Sequence, residues 1–223
     1  MIETGFFLGD CMDFMKDVPD GTFDLAIVDP PYGHMDAGMQ TGGECGLFES
    51  RQFKRSNIQE WDHAPSEEYF KELFRVSKNQ IIWGGNYFKL PPCRCFIVWD
   101  KLQPFENFSR CEYAWTSFKR PAKIYTQDNR YAGKIHPTQK PIELYIWLLN
   151  NYAEPDALIL DTHVGSASSL IACHRTGHPF VGYEKDPNYY EAAKKRLDAE
   201  MAQVTFFDLL EANDEDKQSS LFN

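Results

Sequence analysis

Four times along this chain an apolar run rich in strand formers stops at a carboxylate and passes directly into a turn. Thr4 to Leu8 leads to Gly9-Asp10, and Phe23 to Val28 leads to Asp29-Pro30-Pro31. Ala157 to Leu160 leads to Asp161, and Phe180 to Tyr183 leads to Glu184. Strands that alternate with helical patterns build an α/β sheet, in which ligands bind outside the carboxyl ends of the strands. Any one of these acids could simply cap the next helix. Four of them are better explained as a ligand-binding edge.

The remaining pattern supports that architecture. Cys11 to Lys16 reads as a short helix stopped by Pro19-Asp20-Gly21. Ser66 is an N-cap signal ahead of a helix that carries Phe70, Leu73 and Phe74 on one face. Gln80 to Trp83 and Cys95 to Trp99 read as strands ending at Gly84-Gly85 and Asp100, and Tyr113 to Phe118 and Ala122 to Tyr125 as two more. Pro141 suits a helix N1 position, Gly177 closes the helix after Asp161, and Asp186-Pro187 opens the last one. The spacing predicts an α/β, Rossmann-like fold with a largely parallel sheet and helices on both faces. Residues 34–64 carry four glycines and little periodicity, as a long functional loop would.

The formal charge of −10 argues mildly against a polyanionic partner. Local charge differs: residues 101–134 hold seven cations against three carboxylates, interleaved with Phe105, Phe108, Tyr113, Trp115 and Tyr125. That mixture suits nucleic acid, and Lys119, Arg120, Lys123 and Arg130 are its candidate contacts, with Arg51, Lys54 and Arg55 of the long loop as a second set. The bland reading of the segment is an amphipathic hairpin that covers the sheet. The six cysteines lack disulfide-framework spacing and read as reduced thiols. Cys93-Arg94-Cys95 has no second ligand pair, so no metal is expected. There is no signal-peptide pattern and no membrane-spanning apolar run, which points to a cytoplasmic protein.

Two motifs carry the chemistry. In Asp29-Pro30-Pro31-Tyr32 the prolines stiffen the backbone and remove donors, leaving a carboxylate and carbonyls that can accept both hydrogens of an exocyclic amino group, with an aromatic face beside them. The bland alternative is an extended turn with a buried Tyr. In Asp161 to Ser168 small residues let a ligand approach the backbone at a helix N-terminus, and Glu184 lies about 20 residues on, where a carboxylate can grip ribose hydroxyls. The alternative there is a tight βα turn with no ligand.

Together these motifs resemble the beta group of amino DNA methyltransferases that use S-adenosylmethionine. Asp29-Pro30-Pro31-Tyr32 is similar to their catalytic motif, Asp161 to Ser168 to their cofactor loop (Asp-Pro-Phe-x-Gly-Ser-Gly-Thr), and His136-Pro137-Thr138-Gln139-Lys140-Pro141 to a third motif that precedes it. The order, catalytic motif first, marks the beta group, and Trp83-Gly84-Gly85-Asn86-Tyr87-Phe88 resembles a segment of small phage-type members. Thr162-His163 and Ala167-Ser168 depart from the loop pattern. The resemblance implies a methyltransferase fold acting on N6 of a flipped adenine. Asp29, Pro30, Pro31 and Tyr32 would form the catalytic corner. Asp10 would meet the cofactor's adenine and Glu184 its ribose, Thr138 and Lys140 would lie near its methionine end, and Asp161, His163, Gly165 and Ser166 would form its loop. Cytosine N4, RNA, and an inactive DNA-binding relic are the alternatives.

The implied division is a domain over 1–210, with a catalytic part over 1–100, a recognition segment over 101–135 and a cofactor part over 136–205. A flexible acidic tail would follow over 211–223. Gln218-Ser219-Ser220-Leu221-Phe222 resembles sliding-clamp peptides, so Gln218, Leu221 and Phe222 are candidate clamp contacts. Double-stranded DNA is the expected partner, and the small recognition segment suits a short site or a homodimer.

Overall fold

The structure, a computed structural model, describes residues 2–33, 63–104, 109–130, 134–136 and 138–220, with side chains as far as Gln203. Strands β1 (Gly5–Leu8), β2 (Phe23–Val28), β3 (Ser77–Trp83), β4 (Phe96–Asp100), β5 (Cys111–Thr116), β6 (Lys123–Thr126), β7 (Ile159–Asp161) and β8 (Phe180–Glu184) form one sheet in the order β1-β8-β7-β2-β3-β5-β4-β6. Every pairing is parallel except the two made by β5.

The helices are α1 (Cys11–Lys16), α2 (Glu67–Val76), α3 (Ile142–Tyr152), α4 (Ser168–Thr176) and α5 (Pro187–Ser220). Local chemistry sets their ends. Asp10 caps α1 by accepting from the Met12 N–H, and Ser66 caps α2 by accepting from that of Tyr69. Gly177 closes α4 in the left-handed region at φ 75°. The period-2 alternation of β2 splits its side chains between two cores. Leu25 and Ile27 join Trp83, Trp99 and Leu148 of α3, whereas Ala26 and Val28 join Met15 of α1 and Leu73 of α2. Helices therefore cover both faces, as the sequence predicts.

Beyond shifts of one or two residues at several strand ends, three boundaries differ from the sequence reading. β3 starts at Ser77 with no intervening turn, because the Ser77 hydroxyl accepts the role of stop by donating to the Leu73 carbonyl of α2. Pro141 is the N-cap of α3, at ψ 144°, rather than its first helical residue. The backbone of α5 stays helical to Ser220, over residues read as a flexible tail; after Pro187 this stretch contains no Pro or Gly to break it. Leu221 and Phe222, and the side chain of Gln218, lie outside what is described. Among the described residues no helix is long and apolar enough to cross a membrane, and no His/Cys/Asp/Glu group could hold a metal.

Candidate active site

Asp10, Asp29, Asp161 and Glu184 reach one edge because β1, β8, β7 and β2 are neighbours running the same way. A cleft of ≈ 600 Å³ opens there. Asp29, Pro30, Pro31 and Tyr32 line one part of it; Asp10, Thr138, His163, Gly165, Ser166 and Glu184 line the rest. The two motifs therefore share a cavity. Asp161 does not line it. It is buried beneath the loop, where it accepts from the Ser169 hydroxyl at 2.5 Å and the His163 N–H at 3.0 Å, and burial pushes its carboxyl up to about 7. Its place is to shape the loop rather than to touch a ligand.

Asp29 is held from both sides. Tyr32 donates its hydroxyl to Oδ1 at 2.8 Å, and Lys140 donates Nζ to Oδ2 at 2.5 Å. The Lys140 side chain is 2% exposed, and its Nζ also lies 3.0 Å from Glu112 Oε2 and 5.2 Å from the centre of the Trp83 ring. Glu112 Oε1 in turn accepts from Lys101 Nζ at 2.9 Å. Burial raises the Asp29 carboxyl, with Lys140 opposing. Burial also works against the Lys140 charge, but the two carboxylates outweigh it and hold Lys140 above its usual range. Lys140 thus sits between two acids, a placement the motif resemblance did not indicate.

Tyr32 is clamped by the Trp83–Phe88 segment. Its ring stacks on Tyr87 at 4.9 Å between centres and meets Phe88 edge-on. Gly84 lies beneath it at φ 67°, and a Cβ there would fall 2.1 Å from Tyr32 Cε1. The next glycine answers a different need, since a Cβ on Gly85 would fall 2.4 Å from Trp115 Cβ. Gly84→Ala therefore combines a strained backbone with a collision. It is expected to lower the unfolding free energy by about 2 kcal/mol or more and transfer activity at least tenfold. Thermal unfolding and an activity assay on one preparation check both; a silent substitution would show that Tyr32 can move without consequence.

On the opposite side, Glu184 accepts from the Gly165 N–H on Oε2 and the Asp186 N–H on Oε1, each at 2.9 Å. These bonds fix the carboxylate yet leave lone pairs facing the cleft; burial raises its pKa. Asp10 accepts from Lys185 at 2.8 Å, and that bond holds its carboxyl low. His163 Nδ1 lies 2.9 Å from the Thr162 hydroxyl, which is 2.6 Å from the Tyr69 hydroxyl of α2. Burial pushes His163 down to about 4, so the ring is neutral at pH 7. Thr138 pairs with His136 Nδ1 at 3.0 Å. Ala167, where the resembled loop has Gly, adopts φ 63°, a left-handed conformation that costs a residue with a Cβ about 1 kcal/mol.

The candidate DNA contacts scatter. Arg120 donates to the Asn151 carbonyl at 2.8 Å, and Lys123 to the Asn151 side chain at 2.6 Å. Both lie over the Tyr152 ring. Asn151 is near the C-terminal end of α3, about 13 Å along the helix axis from its first residue, Ile142, which follows Lys140 and Pro141. Arg120 and Lys123 are therefore fastened away from the cleft, and exposed Lys119 precedes them directly. Arg130 is exposed and chelated by Asp128. Arg51, Lys54 and Arg55 lie outside the described residues. The residues that sequence reading missed are Glu112, Lys101, Tyr69 and the steric role of Gly84. A lone carboxylate inside the strand of a basic segment was the one available sign of Glu112.

The fold is that of the S-adenosylmethionine-dependent DNA methyltransferases. A family model described as DNA methylase, of the N6/N4 type, matches residues 86–195, just under half of the chain. The type II methyltransferase M.HinfI of Haemophilus influenzae is 23% identical over 240 residues, covering 85% of this chain and 67% of that protein. The crystal structure of the M1.HpyAVI–SAM complex superposes with a TM-score of 0.56 at 19% identity, covering 86% of this chain and 98% of that one. The PvuII DNA methyltransferase, described as cytosine-N4-specific, gives 0.58 at 15% identity, over 87% of this chain and 86% of that one. At these identities the structures establish the shared fold.

Proposed function

We propose that this chain transfers a methyl group from S-adenosylmethionine to the N6 amino group of an adenine turned out of double-stranded DNA. The observation that carries the reading is one cleft holding both the Asp29–Tyr32 corner and the Asp10–Gly165–Glu184 edge. The cleft volume lies in the range of small-molecule sites. Its donor set also fits the cofactor. Glu184 would accept from the ribose hydroxyls, Asp10 from the adenine amino group, and the loop at the head of α4 would take up the remainder. When bound, the cofactor would supply an electrophilic methyl, whose S–C bond breaks as the sulfonium leaves as a neutral thioether.

The chain's own residues do the rest. Asp29 and the Pro30 carbonyl accept from the exocyclic amino group, which localises the nitrogen lone pair and aims it into the cleft. Each Asp29 oxygen already accepts one bond and keeps a lone pair for this. As the new N–C bond forms, the nitrogen gives up one proton, and the Asp29 carboxylate, its pKa raised by burial, is placed to receive it. Positioning provides most of the acceleration. Turning the base out costs a few kcal/mol, which contacts in the cleft offset.

Asp, rather than Ser, ahead of Pro-Pro-Tyr favours adenine. The cytosine-N4 alternative draws on the likeness to PvuII methyltransferase. Arg130, Lys119 and the basic residues of the long loop, Arg51, Lys54 and Arg55, are the proposed DNA contacts, with Arg120 and Lys123, which bond Asn151 in this structure, as weaker candidates. Incubating the purified chain with methyl-labelled S-adenosylmethionine and duplex DNA, then digesting to nucleosides, should place the label in N6-methyladenine. Label in N4-methylcytosine would reassign the target, and label in RNA but not DNA would overturn the reading.

A further inference from the structure

Asp29 is the first member of a line of four alternating charges: Asp29, Lys140, Glu112 and Lys101, with successive contacts of 2.5, 3.0 and 2.9 Å. The line runs along the carboxyl edge of the sheet, from the end of β2 past β3 to the loop after β4. Lys101 and Glu112 are held side by side because Asp100 of β4 pairs with Cys111 of β5. Their side chains are 12% and 25% exposed. Tyr32, Lys134 and His136 also interact electrostatically with members of the line, and Asp161 feels Asp29 from the neighbouring strand. None of the motifs contains Glu112 or Lys101.

We propose that Glu112 is a positioning residue for methyl transfer, acting on Asp29 through Lys140. An ammonium confined against one carboxylate binds it with all its strength in a poorly solvated site. Asp29 would then face an arriving amino group with its oxygens committed. Glu112 divides the attention of Lys140. With a second carboxylate 3.0 Å away, the ammonium keeps Asp29 oriented without monopolising it. Lys101 balances Glu112, so the line is neutral overall and remains tolerable under burial. The proposal rests on the reading of Asp29 as the amino-group acceptor.

The test compares Glu112→Gln, Lys101→Met and the double variant in full-length protein. It uses steady-state methyl transfer, calorimetric binding of S-adenosylmethionine, and thermal unfolding. Positioning predicts that Glu112→Gln lowers kcat roughly 10- to 100-fold, the scale of a displaced reacting group. Cofactor affinity and the KM for DNA should stay within about twofold, a split that a general structural defect would not give. Lys101→Met added to Glu112→Gln removes the stranded cation and should recover thermal stability but not kcat. Recovery of kcat in the double variant, or an unchanged kcat in the single one, would overturn the proposal, because Glu112 would then serve only as partner to Lys101. Should the single variant fail to fold, the neutral double variant carries the same comparison. Asp29→Ala separates the two levels. If it abolishes transfer while Glu112→Gln does not affect it, only this inference fails; if Asp29→Ala leaves transfer intact, the reading beneath it fails.

Discussion

Asp29→Ala is expected to reduce methyl transfer by roughly 10²- to 10⁴-fold, the range for loss of an acid–base group or of a hydrogen-bond partner to developing charge. Cofactor affinity should change little, because Asp10, Glu184 and the 163–166 loop are held by their own partners. Asp29→Asn separates charge from shape. The amide can still accept from Tyr32, yet it offers no anion to Lys140 and no site for a proton, so its rate should be nearly as low. The wild-type rate should depend on pH in a direction that geometry fixes. Asp29 must be a carboxylate to accept from the amino group, and burial raises its pKa above the ordinary carboxylate value. Activity is therefore present above that raised pKa and falls as pH drops through it, and the Asn variant should lack this acid limb. A variant keeping a tenth of wild-type transfer would show that the corner does not do the chemistry.

The sequence made the edge of the site legible because its signals are local. A cap such as Asp10 or Ser66, a stop such as Asp29-Pro30-Pro31 and a closing Gly177 each act within a few residues, and α1 and β2 appear with the bounds those signals set. What escaped depends on partners far away in the chain. Lys140 reaches Asp29 across 111 positions, and Tyr69 reaches Thr162 across 93. Nothing within a strand's own pattern says that Glu112 will face a lysine from another motif. Counting charges cannot show such partners either. Arg120 and Lys123 enlarge the basic segment, but Asn151 and the aromatic rings of α3 occupy them. Ala167 shows the opposite case, a visible departure from the family loop that the backbone accommodates by adopting the glycine conformation anyway.

Lys140→Met should be the most destabilising single change among the buried charges. Methionine fills the volume of the lysine stem but leaves Asp29 and Glu112 without the cation between them. Removing one partner from a buried ion pair typically costs about 3–5 kcal/mol. In a chain of this length that corresponds to a fall in Tm of about 10 °C. The loss should also depend on pH, and its sign follows from linkage. With the ammonium gone, the carboxyls of Asp29 and Glu112 would both bind protons more readily in the folded than in the unfolded chain. The folded variant then holds more protons, so its stability declines as pH rises through the raised pKa values. The gap between variant and wild type should be smaller at pH 5 than at pH 8. Denaturant unfolding at those two values measures it directly. A gap below about 1 kcal/mol that ignores pH would mean that Lys140 contributes packing rather than charge, and both the Asp29 geometry and the role assigned to Glu112 would lose their support.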